Sequence, residues 1–240
     1  MARGDLGPAL RHAATLIVHR HGPEGAEVLM GQRGRAAAFM PSKFVFPGGA
    51  VDPGDAQVPL AGALSPACRA RLSVEGACEG GPVMDRLPDA LVAAAIRELW
   101  EETGLMLARP DPWSAEDLAV IPAGWEDFAK AGMRPDAGAC RFVFRAVTPL
   151  ARSRRFDARF FVASAAAVMG DVDDFSRAQP ELSGVQWVPL ARARNFDLPF
   201  ITTVVLAELS HLLSQADPVI PADVPFVRND DIVSNIRRLR

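Results

Sequence analysis

The segment Arg97-Glu98-Leu99-Trp100-Glu101-Glu102-Thr103-Gly104-Leu105 constrains this chain more than any other stretch of its 240 residues. Glu98, Glu101 and Glu102 stand at i, i+3 and i+4, so on a helix the three carboxylates share one face. Like charges at that spacing destabilise a bare helix, and the arrangement therefore asks for a compensating partner. A hard divalent cation with oxygen ligands is one such partner, and Arg97 is placed to orient one of the acids. The plainer alternative is a solvated acidic face, because such strings are common on helix surfaces.

The helix itself is legible. Asp89 can cap it, Ala90 to Thr103 holds only good or tolerable helix formers, and Gly104 ends the run. Leu91, Ala94, Ala95 and Leu99 fall at helical spacing and are expected to face the core. Upstream lies Phe46-Pro47-Gly48-Gly49-Ala50-Val51-Asp52-Pro53-Gly54-Asp55, whose paired glycines let backbone approach backbone or ligand closely. Between Gly54 and Pro88 the texture changes to Gly, Pro and Ala with weak periodicity, with a short helix at Pro66 to Leu72. That piece is too short for a core of its own and reads as an insertion over 56–88. The expected organisation is a single domain over 10–215, interrupted by the insertion and followed by a C-terminal tail over 216–240.

Strands are expected at Ala13 to Val18 and Val28 to Met30, forming a hairpin around Gly22-Pro23-Glu24-Gly25. Further strands are read at Lys43 to Phe46, Leu105 to Leu107, Arg141 to Val147, Arg159 to Ala163 and Gly184 to Val188. A second helix is expected over Ala115 to Lys130, and a strongly apolar one over Pro199 to Leu213. Strands in hairpin-like groups with interspersed helices indicate α+β, or a mixed sheet sandwiched by helices. There is no internal repeat.

With 49% hydrophobic and 23% charged residues, the chain can build a sizeable core without disulfide staples. The three cysteines, Cys68, Cys78 and Cys140, cannot all pair and form no CxxC, so free thiols in a reducing cytoplasm are expected. A net charge of −3 argues against bulk binding to nucleic acid. No apolar run reaches the ~18 residues of a membrane span, and the N-terminus lacks a signal-peptide core. The expected location is cytoplasmic.

Taken together, the Gly-Gly segment and the acidic helix resemble the signature of the Nudix hydrolases. In that signature a glycine, five residues and a glutamate precede seven residues and Arg-Glu-aliphatic-any-Glu-Glu-any-Gly-aliphatic. The second half is complete from Arg97 to Leu105, and the first begins at Gly49 with Asp55 in the glutamate's place. The family places its arginine eight positions after that acid; here the separation is 42, leaving 34 extra residues that coincide with the insertion. An interrupted box resembles the coenzyme A diphosphatase subgroup typified by the mammalian peroxisomal enzyme. Phe39-Met40-Pro41, Thr148-Pro149, Arg154 to Phe161 and Gln186-Trp187-Val188-Pro189-Leu190 extend the likeness over roughly residues 12 to 215. The full upstream coenzyme A signature is not present, and Arg238-Leu239-Arg240 is not a peroxisomal tripeptide.

The resemblance implies a Nudix fold, an α/β/α sandwich, and metal-dependent cleavage of a nucleoside diphosphate derivative with Mg2+ or Mn2+. It implies Glu98, Glu101 and Glu102 as metal ligands, with Glu98 also a candidate base, and a backbone carbonyl from Gly49. Arg97 would orient them. Glu181, six residues before Trp187, is the candidate for a further ligand or general base. Arg33, Arg35, Arg154 and Arg155 are candidates for phosphate contacts, although any one arginine can equally be a solvated surface residue. Asp55 is either a box acid or a turn acid after Pro53-Gly54. Trp113, Trp125 and Trp187 could stack a base but read better as packing, and no histidine pair has metal spacing.

The expected substrate is coenzyme A or an acyl-coenzyme A, with ADP-ribose, NADH or a dinucleoside polyphosphate as alternatives. A non-catalytic nucleotide-binding regulatory module is the alternative of another class; three retained acids argue against it. The insertion leaves the box at the start of the acidic helix, so it is expected near the site's rim as a lid or a homodimer contact.

Overall fold

Apolar residues recur on both faces of the N-terminal strand, which marks it as central, and the fold is built around it. The computed structural model describes residues 8–37, 40–74, 84, 86–214, 221–230 and 233–240. Phe39 and Cys78 lie outside the described residues. The strand β1 (Leu10–Gly22) turns back at Pro23-Glu24 into β2 (Gly25–Arg33), with Gly25 at φ 98°. The register runs from His19↔Val28 to Gly22↔Gly25, which is the hairpin the sequence indicates. Two short strands follow, β3 (Phe44–Val45) and β4 (Gly48–Ala50), and then the helix α1 (Pro66–Ser73). The helix α2 (Leu87–Thr103) closes at Gly104, left-handed at φ 75°. Next come β5 (Met106–Pro110), α3 (Ala115–Leu118), α4 (Glu126–Lys130) and β6 (Met133–Pro135). The chain continues through β7 (Arg141–Val147), β8 (Arg155–Ser164), β9 (Val168–Met169) and β10 (Leu182–Pro189). It ends with α5 (Phe200–Leu213), β11 (Val224–Asp230) and β12 (Val233–Leu239).

Nine strands form one sheet in the order β10-β2-β1-β8-β7-β11-β12, with β3 beside β2 and β4 beside β1. The pairs β1–β8 and β7–β11 are parallel and the rest antiparallel, so the sheet is mixed. Ala14, Leu16 and Val18 of β1 face the layer that holds α2, while Ile17 faces the layer that holds α5. The architecture is the Nudix fold, with helices on both faces of a mixed sheet.

In α2, Ala90 to Ile96 are all fully buried, beyond the one-sided face that helical spacing predicts. A helix apolar all round needs cover on every side. The sheet supplies one side; Leu64, Cys68 and Leu72 from the insertion and Trp125 and Phe128 from the α4 region join the same cluster.

Three expectations are corrected. The helix over Ala115 to Lys130 is two short helices, because Pro122 and Gly124 (φ 88°) break the run. The tail over 216–240 contributes a hairpin to the sheet: Val224 and Phe226 are buried, and β11 pairs with β7, whose edge would otherwise be open. The described part of the insertion does not border the active-site cleft. It lies on the α2 face, where Arg71 Nη1 and Nη2 donate to the carbonyls of Pro221 and Ala222 at 2.7 and 2.8 Å. Arg145, forked on Asp157 at 2.9 and 2.8 Å, also donates to the Val74 carbonyl at 3.0 Å. Insertion and C-terminal hairpin thereby hold each other. No helix among the described residues is long and apolar enough to cross a membrane.

Candidate active site

The paired glycines and the acidic turn meet in space. Strand β4 lies on β1, with Ala13↔Ala50, Ala14↔Gly49 and Thr15↔Gly48 in register, and α2 runs across it. The Gly48 N–H donates to Glu102 Oε2 at 2.8 Å. A Cβ on Gly49 would sit 2.4 Å from Glu98 Oε1, and one on Gly48 only 2.7 Å from the Ala14 carbonyl oxygen. Strand and helix thus approach to a distance that only glycine permits.

Arg97 is the hub. Its Nε and Nη2 fork onto Asp55 Oδ1 and Oδ2 at 3.0 Å each, and Nη2 also donates to the Ala50 carbonyl at 3.0 Å. Its Nη1 meets Glu98 Oε1 and Glu101 Oε2, again at 3.0 Å each. Asp55 is buried, and its carboxylate also accepts from the Asp52 N–H at 2.8 Å and Trp125 Nε1 at 3.4 Å. Asp55 thus closes the short helical turn Pro53–Gln57 and clamps the arginine of the acidic helix. The 42 positions between Asp55 and Arg97 leave the two in direct contact.

This crowding costs charge. Burial, against the pull of Arg97, pushes the Glu98 carboxyl up to about 7. Burial also raises Glu101, and it raises Glu102 well above the usual carboxylate range with Glu98 adding repulsion. Among the described residues Glu102 Oε1 is buried without a hydrogen-bond partner. Hard carboxylate oxygens, one of them unsatisfied, fit a divalent cation. Among the described residues no three acids converge on one point, because Glu98 and Glu101 are both held on Arg97 Nη1.

In front of Glu98, Gly48 and Gly49 opens a cleft of about 990 Å³ on the α5 side of the sheet. Glu181 borders it and pairs with Arg33 at 2.7 Å, and its charge is felt by Glu98 and Glu102. Arg154 also borders the cleft. Arg35 and Arg155 do not: Arg35 is exposed elsewhere, and Arg155 Nε turns to the Thr148 carbonyl at 3.4 Å. Three cations that motif reading missed, Arg11, Lys43 and Arg152, line the cleft as well. The signal for Arg11 was present, since it shares the parity of Ala13 and Thr15 on a strand buried on both faces. Trp113 and Trp125 are buried packing residues, as their reading favoured, and Arg20 stacks on Trp187 with 4.3 Å to the ring centroid.

A mixed sheet between helices, with a glycine pair meeting an arginine-bound acidic turn, defines a Nudix hydrolase, an enzyme that cuts diphosphate linkages. Among solved structures the chain is similar to the Nudix hydrolase from Alicyclobacillus acidocaldarius, with 28% identity over 91% of this chain and 100% of that one and a TM-score of 0.61. It also shows a remote likeness to the MutT protein of Methanosarcina mazei Go1 (15% identity, 86% and 97% of the two chains, TM-score 0.47). A C. elegans Ap4A hydrolase stands at a similar remove (16% identity, 85% and 98%, TM-score 0.45). Of these three, the Alicyclobacillus enzyme is near enough to bear on the chemistry. No protein-family model matches the chain.

Proposed function

We propose that this enzyme hydrolyses the diphosphate of coenzyme A or an acyl-coenzyme A. The observation that carries the reading is the Asp55–Arg97 fork, which joins the two halves of the box across the insertion. An interrupted but assembled box is the feature that the coenzyme A diphosphatase subgroup shares. The cleft adds support: cationic Arg11, Arg152 and Arg154 stand with apolar Phe156, Phe160 and Leu198, which suits a substrate that carries phosphates and an uncharged arm.

Glu98, Glu101, Glu102 and the Gly49 carbonyl would hold Mg2+ or Mn2+, which supplies neutralisation of diphosphate charge and acidification of the attacking water. Arg97 orients Glu98 and Glu101 while taking no part in bond making. Glu181, steadied by Arg33, accepts the proton as the water oxygen bonds to phosphorus and the bridging P–O bond breaks. The electron pair of that bond leaves on the departing phosphate. With coenzyme A the products are adenosine 3′,5′-bisphosphate and phosphopantetheine. Arg154, together with Arg11 and Arg152, binds phosphate oxygens.

The test is hydrolysis of free coenzyme A, acetyl-coenzyme A, ADP-ribose, NADH and a dinucleoside polyphosphate with Mg2+ or Mn2+, beside the variant Glu101→Gln. Metal-dependent turnover of the coenzyme A species, lost in the variant, is the expected result. Turnover confined to ADP-ribose, NADH or a dinucleoside polyphosphate would keep the chemistry and discard the substrate. Binding with no turnover of any would favour a regulatory module.

A further inference from the structure

The cleft is floored by the sheet, and the strand registers order that floor into rows. One row crosses five strands: Ala50 of β4 faces Ala13 of β1, Ala13 faces Ala158 of β8, Ala158 faces Ala146 of β7, and Ala146 faces Val227 of β11. All five residues line the cleft. The next row on one side is Gly48, Thr15 and Phe160, and on the other Arg11 and Phe156. Side chains in register stand side by side, so the small residues of the alanine row leave a trough flanked on β8 by one phenyl ring on each side, Phe160 beside Thr15 and Phe156 beside Arg11. At about 4.8 Å per strand, the row is about 19 Å long. It starts at Ala50, beside Gly49 and Glu98, and runs away from the acids.

The floor of the trough is apolar. Leu198, Pro199, Phe200 and Ile201, at the start of α5, also border the cleft. Phe200 is 78% exposed, an aromatic ring that the fold itself does not use. The cations Arg11, Arg152 and Arg154 are exposed, and no charged side chain belongs to the alanine row.

We infer that this trough is the berth of an uncharged apolar chain on the leaving group, and that the enzyme selects long-tailed acyl thioesters over free coenzyme A. The inference rests on the coenzyme A reading above and adds the specificity-determining residues Ala158, Ala146 and Phe200. Burial of methylenes against Phe156, Phe160 and Phe200 favours each added carbon until the row is filled. A flat nucleobase is the competing occupant; among the described residues its ring nitrogens and exocyclic groups would find only Thr15, Thr148, Ser153 and Thr202 as uncharged polar side chains lining the cleft, and none of them belongs to the alanine row.

The experiment is isothermal titration of the full chain in EDTA with free, acetyl-, hexanoyl-, octanoyl- and decanoyl-coenzyme A. Ala158→Leu fills the trough at its middle, and Phe200→Ser alters an exposed ring without touching the core. The expected result is a Kd that falls at least tenfold from free to octanoyl-coenzyme A, with the gain cut below threefold in Ala158→Leu and reduced in Phe200→Ser. A wild-type ladder flat within threefold overturns the inference, and so does a gain that survives both substitutions. Competition of adenosine against the octanoyl gain assigns the trough to the base and also overturns it. If coenzyme A is hydrolysed while the ladder is flat, only this inference falls; if no coenzyme A species binds or turns over, the substrate reading falls with it.

Discussion

Replacing Asp55 by asparagine keeps the shape of the clamp on Arg97 and removes its charge. In the wild type the Arg97 and Asp55 side chains are 4% and 1% exposed, and two contacts of 3.0 Å join them. Breaking a buried ion pair costs about 3–5 kcal/mol, because the remaining charge loses its partner in a medium that solvates it poorly. Arg97 keeps Glu98 and Glu101 on Nη1 at 3.0 Å, so the lower end, about 3 kcal/mol, applies. For a chain of this size that lowers Tm by about 6–12 °C. Hydrolysis should fall by about 10–100-fold, since Arg97 then drifts and no longer fixes Glu98 and Glu101. Urea unfolding in EDTA measures the first effect, and metal-dependent turnover the second. The double variant Asp55→Leu/Arg97→Met separates them: apolar side chains of similar bulk should regain part of the stability, less what Glu98 and Glu101 lose with their shared donor, and none of the activity. A loss below about 1 kcal/mol in Asp55→Asn would refute the buried-clamp reasoning, and full activity in the double variant would refute the orienting role of Arg97.

The two glycines should fail differently. Gly48→Ala sets a Cβ against backbone atoms of Ala14 and Thr15 at 2.7 and 2.8 Å and should destabilise by about 1–3 kcal/mol in urea titrations. Gly49→Ala meets first the flexible end of Glu98, at 2.4 to 2.6 Å, so turnover should drop by about tenfold or more while Tm hardly moves. The metal-free enzyme should lose stability as pH rises. Burial lifts Glu98 from its ordinary 4.5 to about 7, so its favourable protonated form is fully present below pH 4.5 and is lost as pH climbs through 7. The loss amounts to about 3 kcal/mol at most, and urea midpoints at pH 5 and 8 for wild type and Glu98→Gln should show the variant flatter. Arg71→Met removes both donors to the Pro221 and Ala222 carbonyls, and limited proteolysis should then cut nearer the C-terminal hairpin at about 2–3 kcal/mol lower stability.

Much of the framework was legible because its signals are local. The β1–β2 hairpin rests on a Gly-Pro-Glu-Gly turn between two apolar runs, and α2 rests on helix formers stopped by Gly104. The carboxylates of Glu98, Glu101 and Glu102 follow from the 3.6-residue period alone. The helix expected over Ala115 to Lys130 is broken at Pro122 and Gly124, where a missing N–H and a left-handed backbone end the run. The hairpin of β11 and β12 failed for another reason: whether Val224 and Phe226 end in a sheet depends on the open edge of β7, more than seventy residues away. The phosphate-contact candidates divided in the same way. Arg154 faces the cleft and its neighbour Arg155 does not, and strand parity within the folded sheet makes that choice.

The sequence by itself determined that three acids share a helix face, that two glycines precede them and that a foreign stretch separates the two. Spacing along the chain carries that information, because helical period and glycine's missing Cβ act within a few residues. Only the tertiary structure decided that Asp55 closes on Arg97 across the insertion, that the described part of the insertion lies on the α2 face, and that four alanines and a valine from five strands line up into one row. Those facts depend on strand register and on which surfaces bury each other, and both are set by contacts between residues far apart in the chain.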